Sequence, residues 1–499
     1  MSRADRRIER LEARVAALLA EVERLRKLEA RVEELERENA ELKEKLGKSS
    51  RNSSKPPSSD SPKAKAERRA KKPTGRRPGG QPGHRRHERC EVAPEKVTRR
   101  VPLIPKQCEK CAAKLTGTDP DPRRHYVFEL PKVEPYVTEF SRHALECTQP
   151  GCGHLTRAPL PAGVPTRIFG PSVAAFTSYF MGVHKLGKRG AAEALHDLYG
   201  LPISVGAVVD CQQETSAALA VPYEEIVAHA QAAPVKNADE TSWVEGKGKK
   251  AKAWLWTLVT ATAVVFMITK SRGADAAIKL LLNGKTRIGE LAFGVLGTDR
   301  HGAYNFWPLQ FHQFCWSHLR RDFTAISERS GASAQLGLKL VEETDRMFAW
   351  WHRVRDGTLT RARFQIFMRP LRKRVEALLL EGTALSDKKT ARTCAKLLKA
   401  KEAMWTFVDI EGVEPTNNAA ERAVRHPVIY RKLSGGTKSV AGSRFVERIL
   451  TAHATLRLQG RPILPFLQAA CEARLNRSAP PSLLPMAPSK AIKPLRMAA

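Results

Sequence analysis

Apolar positions along the chain change their spacing from region to region. Over residues 6–46 they recur three and four apart: Ile8, Leu11, Val15, Leu18, Val22 and Leu25, then, after a one-step shift at Leu28, Val32, Leu35, Asn39, Leu42 and Leu46. Charged residues fill the positions between. This seam predicts a coiled coil over 1–47, with a stammer-like break in register. Asn39 on a seam position favours a parallel dimer, because each buried amide needs a partner amide. A single exposed helix is the plainer alternative, and the regularity of the seam disfavours it.

The pattern then stops. Residues 48–100 are rich in Ser, Pro, Gly, Lys and Arg, with almost no large apolar residue, and cannot bury a core. They read as a solvated linker or, given their density of cations (Arg76, Arg77, Arg85 and Arg86 among them), as a basic arm that tracks phosphates. Over 101–160, "CEKC" (Cys108, Cys111) and "CTQPGC" (Cys147, Cys152) flank strand-like stretches, "RHYVFEL" and "YVTEFSRHALEC". Two close thiol pairs suit one tetrahedral, structural zinc ion. The second pair is spaced more widely than usual, so His143 or His154 could replace a thiolate, and four ordinary thiols are the alternative. Over 165–232, "KRGAAEALHDLYGLPISVGAVVDCQQET" predicts two helices around a Gly-Leu-Pro turn, with Ser204 as the second N-cap. The spacing is helix-turn-helix-like. The second helix is poor in cations, so a packing module is at least as well supported as a base reader.

From residue 233 the pattern becomes mixed. "PVKNADETSW" predicts a strand ending at Asp239, and "KAWLWTLVTATAVVFMITKS" two further strands. "GADAAIKLLLN" follows as a helix, "FGVLGTDRHGAYN" as a strand ending at Asp299, and "LQFHQFCWSHLRRDF" as a strand running into a helix. This order fits an α/β ribonuclease-H-like core built from 233–328 and 403–470, interrupted by a basic helical insertion over 329–402 and followed by a tail over 471–499. In that layout Asp239 and Asp299 lie on neighbouring central strands and converge. Converging carboxylates repel unless cations neutralise them, and two Mg²⁺ (or Mn²⁺) ions are the usual solution in phosphoryl transfer. A third carboxylate is expected from a packed helix. Glu421 in "TNNAAERAVR" is the candidate, with Asn418 read as an N-cap that Glu421 would complete into a capping box. Glu240 should face the other way. His318 is either a phosphate or metal contact or a packed core histidine, and Cys315 reads as core. Arg320, Arg321, Arg425, Arg431 and Lys432 are candidate phosphate contacts. "GGTKS" lacks the spacing of a phosphate loop, which excludes ATP binding on that motif.

Composition sharpens this picture. Lys and Arg number 85 against 52 Asp and Glu, giving +33 and a pI near 10.1, which points to a polyanion, by default DNA. No secretory signal is visible, and the longest apolar run, 253–269, is short for a bilayer and reads as strands. The 9 cysteines then suggest thiols or metal ligands rather than a disulfide framework.

In series, "NSSKPPSSD", "GGQPGH", "ADET", "TDRHGAY", "CWSHLRRDF" and "PTNNAAERAVR…YRKLSGGTKS…G" resemble the bacterial insertion-sequence transposases of the IS sixty-six family along nearly the whole chain, fading after about Gln468. The resemblance implies a DDE nuclease core with Asp239, Asp299 and Glu421 as the Mg²⁺-binding catalytic residues, nicking element ends and joining the freed 3′-hydroxyl to target DNA. It also implies a zipper, a basic arm and a zinc module with Cys108, Cys111, Cys147 and Cys152 as ligands. Expected partners are double-stranded DNA, a second copy through the coiled coil or a higher oligomer, and accessory proteins encoded by the same element. The expected location is the bacterial cytoplasm, at the nucleoid. Two rival readings are a zinc-containing DNA-binding regulator without catalysis, and a nuclease of the same fold without strand transfer.

Overall fold

The computed structural model describes residues 14, 21–29, 31–39, 92–246, 248, 251–284 and 294–486. The seam positions Ile8, Leu11, Val15, Leu18, Leu42 and Leu46, the arm residues Arg76, Arg77, Arg85 and Arg86, and the tail beyond 486 lie outside them. Residues 21–29 and 31–39 are helical, with Val22, Leu25, Leu28, Val32 and Leu35 all exposed as one apolar row.

Residues 92–160 form little regular structure. β1 (Ala144–Glu146) pairs antiparallel with β2 (Leu155–Arg157), and this hairpin carries the second cysteine pair. The expected strand at "RHYVFEL" is absent, and apolar side chains such as Leu130 and Tyr136 are more than nine-tenths exposed. Strand propensity there has no partner surface to bury against, so it produces no ladder.

Four helices follow: α1 (Pro171–Gly182), α2 (Lys188–Tyr199), α3 (Val205–Ala218) and α4 (Ala220–Ala232). Gly200 closes α2 in the left-handed region (φ 66°), and Ser204 Oγ accepts from Ala207 N at 3.2 Å, the expected cap of α3. α3 packs against α1 and the C-terminal helices, and its acidic Asp210 and Glu214 hold Arg167. That face suits packing better than base reading.

The sheet has the order β5-β4-β3-β6-β7. β3 (Val235–Val244), β4 (Lys252–Val259) and β5 (Val264–Thr269) form an antiparallel meander, while β6 (Val295–Thr298) and β7 (His312–Phe314) add in parallel beyond β3. α5 (Ala274–Leu282) crosses between β5 and β6. β3 does not stop at Asp239; its β-forming residues Thr241, Trp243 and Val244 continue the ladder with β4. After β7 come α6 (Trp316–Ser327) and the helical insertion, α7 (Gly331–Arg355), α8 (Arg361–Thr383), α9 (Lys388–Lys399) and the short α10 (Thr406–Asp409). α11 (Asn418–Ser434), α12 (Val440–Leu458) and α13 (Ile463–Leu475) return to the sheet. Among the described residues two apolar cores result: one under the sheet and the flanking helices, and a second around Trp316, Phe364 and Phe407, where α6 and the sheet's β7 edge meet the insertion.

The edge strand β5 is covered by α12. Thr455 Oγ1, Thr451 Oγ1 and Glu447 Oε1 accept from the backbone N–H of Val264 and Phe266, each at 3.0 Å, and Ile268, at 2.5 Å. Four helical residues rise about 6 Å and two strand residues about 6.8 Å, so the two repeats stay in step over this length. Free edge donors are thereby satisfied without another strand.

Candidate active site

The site is built where β6 ends beside the middle of β3, next to α6 and α11. β3 pairs with β6 through Asn237 and Gly297, and two residues further each strand carries an aspartate, Asp239 and Asp299. Gly297 leaves room for the Asn237 side chain, whose Oδ1 would lie 2.4 Å from a Cβ there. Asp239 Oδ1 accepts from Glu240 N and Asp299 Oδ1 from His301 N, both at 2.9 Å.

α11 is tied to β3 at several points, which fixes where Glu421 lies. Asn417 Nδ2 donates to Ala238 O at 2.8 Å. Arg431 Nη1 donates to Ser242 O and to Ser242 Oγ. Beyond the helix, Thr437 N donates to Val244 O at 2.8 Å and Trp243 Nε1 to Thr437 Oγ1 at 3.2 Å. Gly436 makes this approach possible: its φ is +86°, and a Cβ would sit 2.4 Å from Val244 O. The "GGTKS" motif is thus a hook onto β3. On the other side, Asn417 N donates to Cys315 Sγ at 3.3 Å and Trp316 N to Pro415 O at 2.9 Å, joining the start of α11 to the start of α6.

The expected capping box is not formed. The N-cap of α11 is Asn417 rather than Asn418, and its side chain is spent on β3 instead of on the helix. Glu421 N donates to Asn417 O at 3.2 Å, leaving the Glu421 carboxylate free in the first turn. There its Oε1 lies 3.7 Å from His318 Nδ1.

The electrostatics are unbalanced toward acid. Burial, then the carboxylates of Glu240 and Asp299, and to a lesser extent Glu421, push the Asp239 carboxyl up to about 7. His318 is held below its ordinary range by burial and by Arg321, against the opposing pull of Asp299 and Glu421. An open cleft of about 430 Å³ borders Asp299, lined also by Arg300, His301, His318, Arg321 and Asp322. Arg300 pairs with Asp322, whose carboxyl burial holds above its usual range despite that partner.

Glu240 lies across the sheet from this acid, as expected. Its side chain is 1% exposed, accepts from Tyr304 Oη at 2.8 Å, and takes Arg272 Nε and Nη2 at 3.2 and 2.9 Å. Other predicted residues divide. Arg320 is held by Asp345 at 2.7 Å and Arg431 by Ser242, so both are committed to the fold. Arg321 lines the cleft, while Arg425 and Lys432 are exposed on α11. Sequence reasoning missed Asn417, Arg300, His301 and Asp322. The motifs "PTNN", "TDRH" and "CWSHLRRDF" contain them, without a local signal for their roles.

Among the described residues, the ligand atoms of Cys315, His318 and Glu421 all lie within 4.8 Å of one another. His318 Nδ1 and Asn417 Oδ1 are buried there without a hydrogen bond. Burial pushes the Cys315 thiol up, which disfavours its thiolate. The four expected zinc ligands fall in two pairs. Cys108 sits by Cys111, and Cys152 by Cys147, in separate turns. The Cys108 thiol is held down by the backbone N–H groups of Cys111 and Lys110, and that of Cys152 by His154 N–H. No helix among the described residues is long and apolar enough to cross a membrane.

Residues 3–90 match a family of unknown function. An uncharacterized protein, y4qI of Sinorhizobium fredii (strain NBRC 101917 / NGR234), is 26% identical over 257 residues, covering 46% of this chain and 46% of its own length, so the chain spans about half of that curated relative. Residues 167–444, more than half of the chain and the stretch holding all three candidate carboxylates, match the transposase IS66 family, and the chain belongs to that family, the IS sixty-six transposases.

Proposed function

We propose that the chain is a DDE-type DNA transposase, cutting strands at the ends of a mobile element and joining them to target DNA. One observation carries the reading: Asp239, within the central strand β3, lies beside Asp299, just past the end of the adjacent β6, and the carboxylates of Asp299 and Glu421 both raise it against the pull of a backbone N–H. The sheet order, three antiparallel strands followed by two parallel ones, supports a ribonuclease-H-like core.

The donor set fits hard divalent ions. Asp239, Asp299 and Glu421 offer carboxylate oxygens, and the orphaned His318 Nδ1 stands beside Glu421. Bound Mg²⁺ or Mn²⁺ would supply positive charge against the charge that develops on phosphate oxygens in the transition state. The chain's own residues do the rest. The ties of α11 to β3 hold Glu421 in register with Asp239. Arg321 draws a phosphate into the cleft, and His318, kept neutral, adds no repulsion to a cation. Arg422 and Arg425, exposed one and four residues past Glu421, extend the basic surface. Cys108, Cys111, Cys147 and Cys152 are proposed as ligands of a structural zinc, with the lowered Cys108 and Cys152 thiols favouring metal-ready thiolates. The N-terminal seam is proposed to dimerise and so to bring two element ends together.

The test uses the full-length chain, Mg²⁺ and DNA carrying the native element ends. Nicked ends and joined products are expected. Asp239→Asn, Asp299→Asn and Glu421→Gln should each bind the ends as the parent does, yet cut roughly 10³-fold slower or worse. Parental cutting by any of these variants would remove that residue from the site. A pre-cut end that is never joined to target, alongside normal nicking, would favour a nuclease without strand transfer.

A further inference from the structure

Cys315, His318 and Glu421 come from two helices whose beginnings are clamped together. Cys315 is the N-cap of α6 and His318 the third residue of that helix, so the two share one turn. Glu421 lies in the first turn of α11. Trp316 N donates to Pro415 O at 2.9 Å, and Asn417 N to Cys315 Sγ at 3.3 Å. These ties fix one helix start against the other, and the bond of Asn417 to Ala238 O fixes both to β3. Backbone geometry thus brings a thiol, an imidazole and a carboxylate together.

These donors suit a different ion from the one that the aspartates would take. Three ligand atoms no more than 4.8 Å apart all lie within about 2.8 Å of a common point. Zinc bonds to sulfur, nitrogen and oxygen run to about 2.0–2.3 Å, so side-chain adjustments of roughly half an ångström close the shell. His318 Nδ1 and Glu421 Oε1 are 3.7 Å apart, near the ~3.3 Å edge of such a tetrahedron. His318 Nδ1 is buried without a hydrogen bond, as suits a ring nitrogen whose lone pair is kept for a metal. Mg²⁺ takes oxygen ligands, whereas a thiolate with an imidazole selects a thiophilic ion. His318 and Glu421 are partly exposed, and His318 lines the cleft, so an ion reaches the buried Cys315 from that side.

We propose that Cys315 Sγ, His318 Nδ1 and a Glu421 carboxylate oxygen form a site for a thiophilic divalent ion of the zinc class, and that filling it disables the carboxylate centre. A fourth position is left to water. Burial holds the Cys315 thiol above its ordinary range, so the ion takes the thiolate by displacing one proton to solvent. The charges of one zinc ion, one thiolate and one carboxylate sum to zero. Glu421 then no longer supplies the negative charge that Mg²⁺ beside Asp239 and Asp299 needs. This antagonism rests on the Mg²⁺ reading of the three carboxylates; the zinc site itself does not.

The test uses the full-length chain, stripped by a chelator and titrated with Zn²⁺ against a chromophoric chelator. The parent should hold one more tightly bound zinc per chain than Cys315→Ser or His318→Gln, each of which should weaken that equivalent roughly 100-fold or more. With Co²⁺ as the probe, sulfur-to-metal absorption should be smaller in Cys315→Ser than in the parent. Unfolding temperatures of the stripped chains should match; if Cys315→Ser folds poorly, the partly exposed His318→Gln carries the count. Mg²⁺-dependent nicking of element-end DNA is then followed against free Zn²⁺, each chain relative to its own zinc-free rate. The zinc concentration that halves the rate should be roughly 100-fold higher for Cys315→Ser than for the parent. Equal zinc counts in the parent and both variants overturn the site and the proposal with it. An extra zinc in the parent with an unchanged midpoint overturns the antagonism. A parent that takes the extra zinc yet never nicks DNA in Mg²⁺ supports the site and overturns the carboxylate reading instead.

Discussion

Asp239 and Glu240 are consecutive on β3 and face opposite sides of the sheet. Glu240 is the more deeply buried, yet Arg272 and Tyr304 supply three hydrogen bonds to it. Asp239 receives a single backbone N–H and otherwise meets other carboxylates. A buried acid with a full set of donors belongs to the fold. One that is surrounded by acids and set beside a cleft is costly to the fold, and its presence calls for a cationic ligand. The informative property is therefore the lack of compensation and not the burial.

Exchanging charge for shape on the two residues should give opposite phenotypes. Asp239→Asn should cost roughly 10³-fold or more in strand cutting, at a stability equal to or above the parent's without metal, because it removes repulsion. Glu240→Ala should unfold more easily by about 3 kcal/mol, since Tyr304 Oη and Arg272 lose their acceptor; chemical denaturation would measure this. The comparison breaks if Glu240→Ala is neutral in stability or Asp239→Asn still cuts.

Glu447 is an intermediate case. It is fully buried and paired with Arg444, yet burial pushes its carboxyl up to about 7 from 4.5. The folded chain then keeps a proton that the unfolded chain has released. The associated stability is complete below about pH 4.5 and is lost as pH rises through 7. Asp239, shifted in the same direction to about 7, adds to that decline in metal-free protein. Glu447→Gln should make the fall in melting temperature over this window shallower, leaving the part due to Asp239. The smallest effect should separate paired from unpaired arginines on α6. Arg321→Ala should lower the salt slope of DNA binding by about one, and Arg320→Ala, whose guanidinium is held by Asp345, by less than half of that.

Much of the core was readable because its signals are local. The β-branched and aromatic run over 252–269 reads as strands, and Asp299 closes the apolar strand β6, which pairs in parallel with β3 two residues before Asp239. What escaped depends on contacts distant in sequence. Asn418 reads as the cap in place of Asn417, and the bond of Asn417 to Ala238 O, 179 residues away, leaves no local mark. Arg320 and Arg321 are indistinguishable as neighbours in the chain; Asp345, on another helix, decides which is free. The strand-like "RHYVFEL" failed for the converse reason, since propensity without a facing surface forms no ladder.

The cover that α12 places over β5 has a consequence in time. Glu447 follows Ile268 by 179 residues. At ~5–20 residues per second, a ribosome needs about 9–36 s to deliver the acceptors after the strand has emerged. Throughout that interval the outward N–H groups of Val264, Phe266 and Ile268, on the apolar segment "VVFMIT", are open to any extended chain nearby, including the same segment of a neighbouring nascent copy. The exposed edge of β5 is thus a hazard of synthesis, and a chain truncated before α12 would keep that edge uncovered.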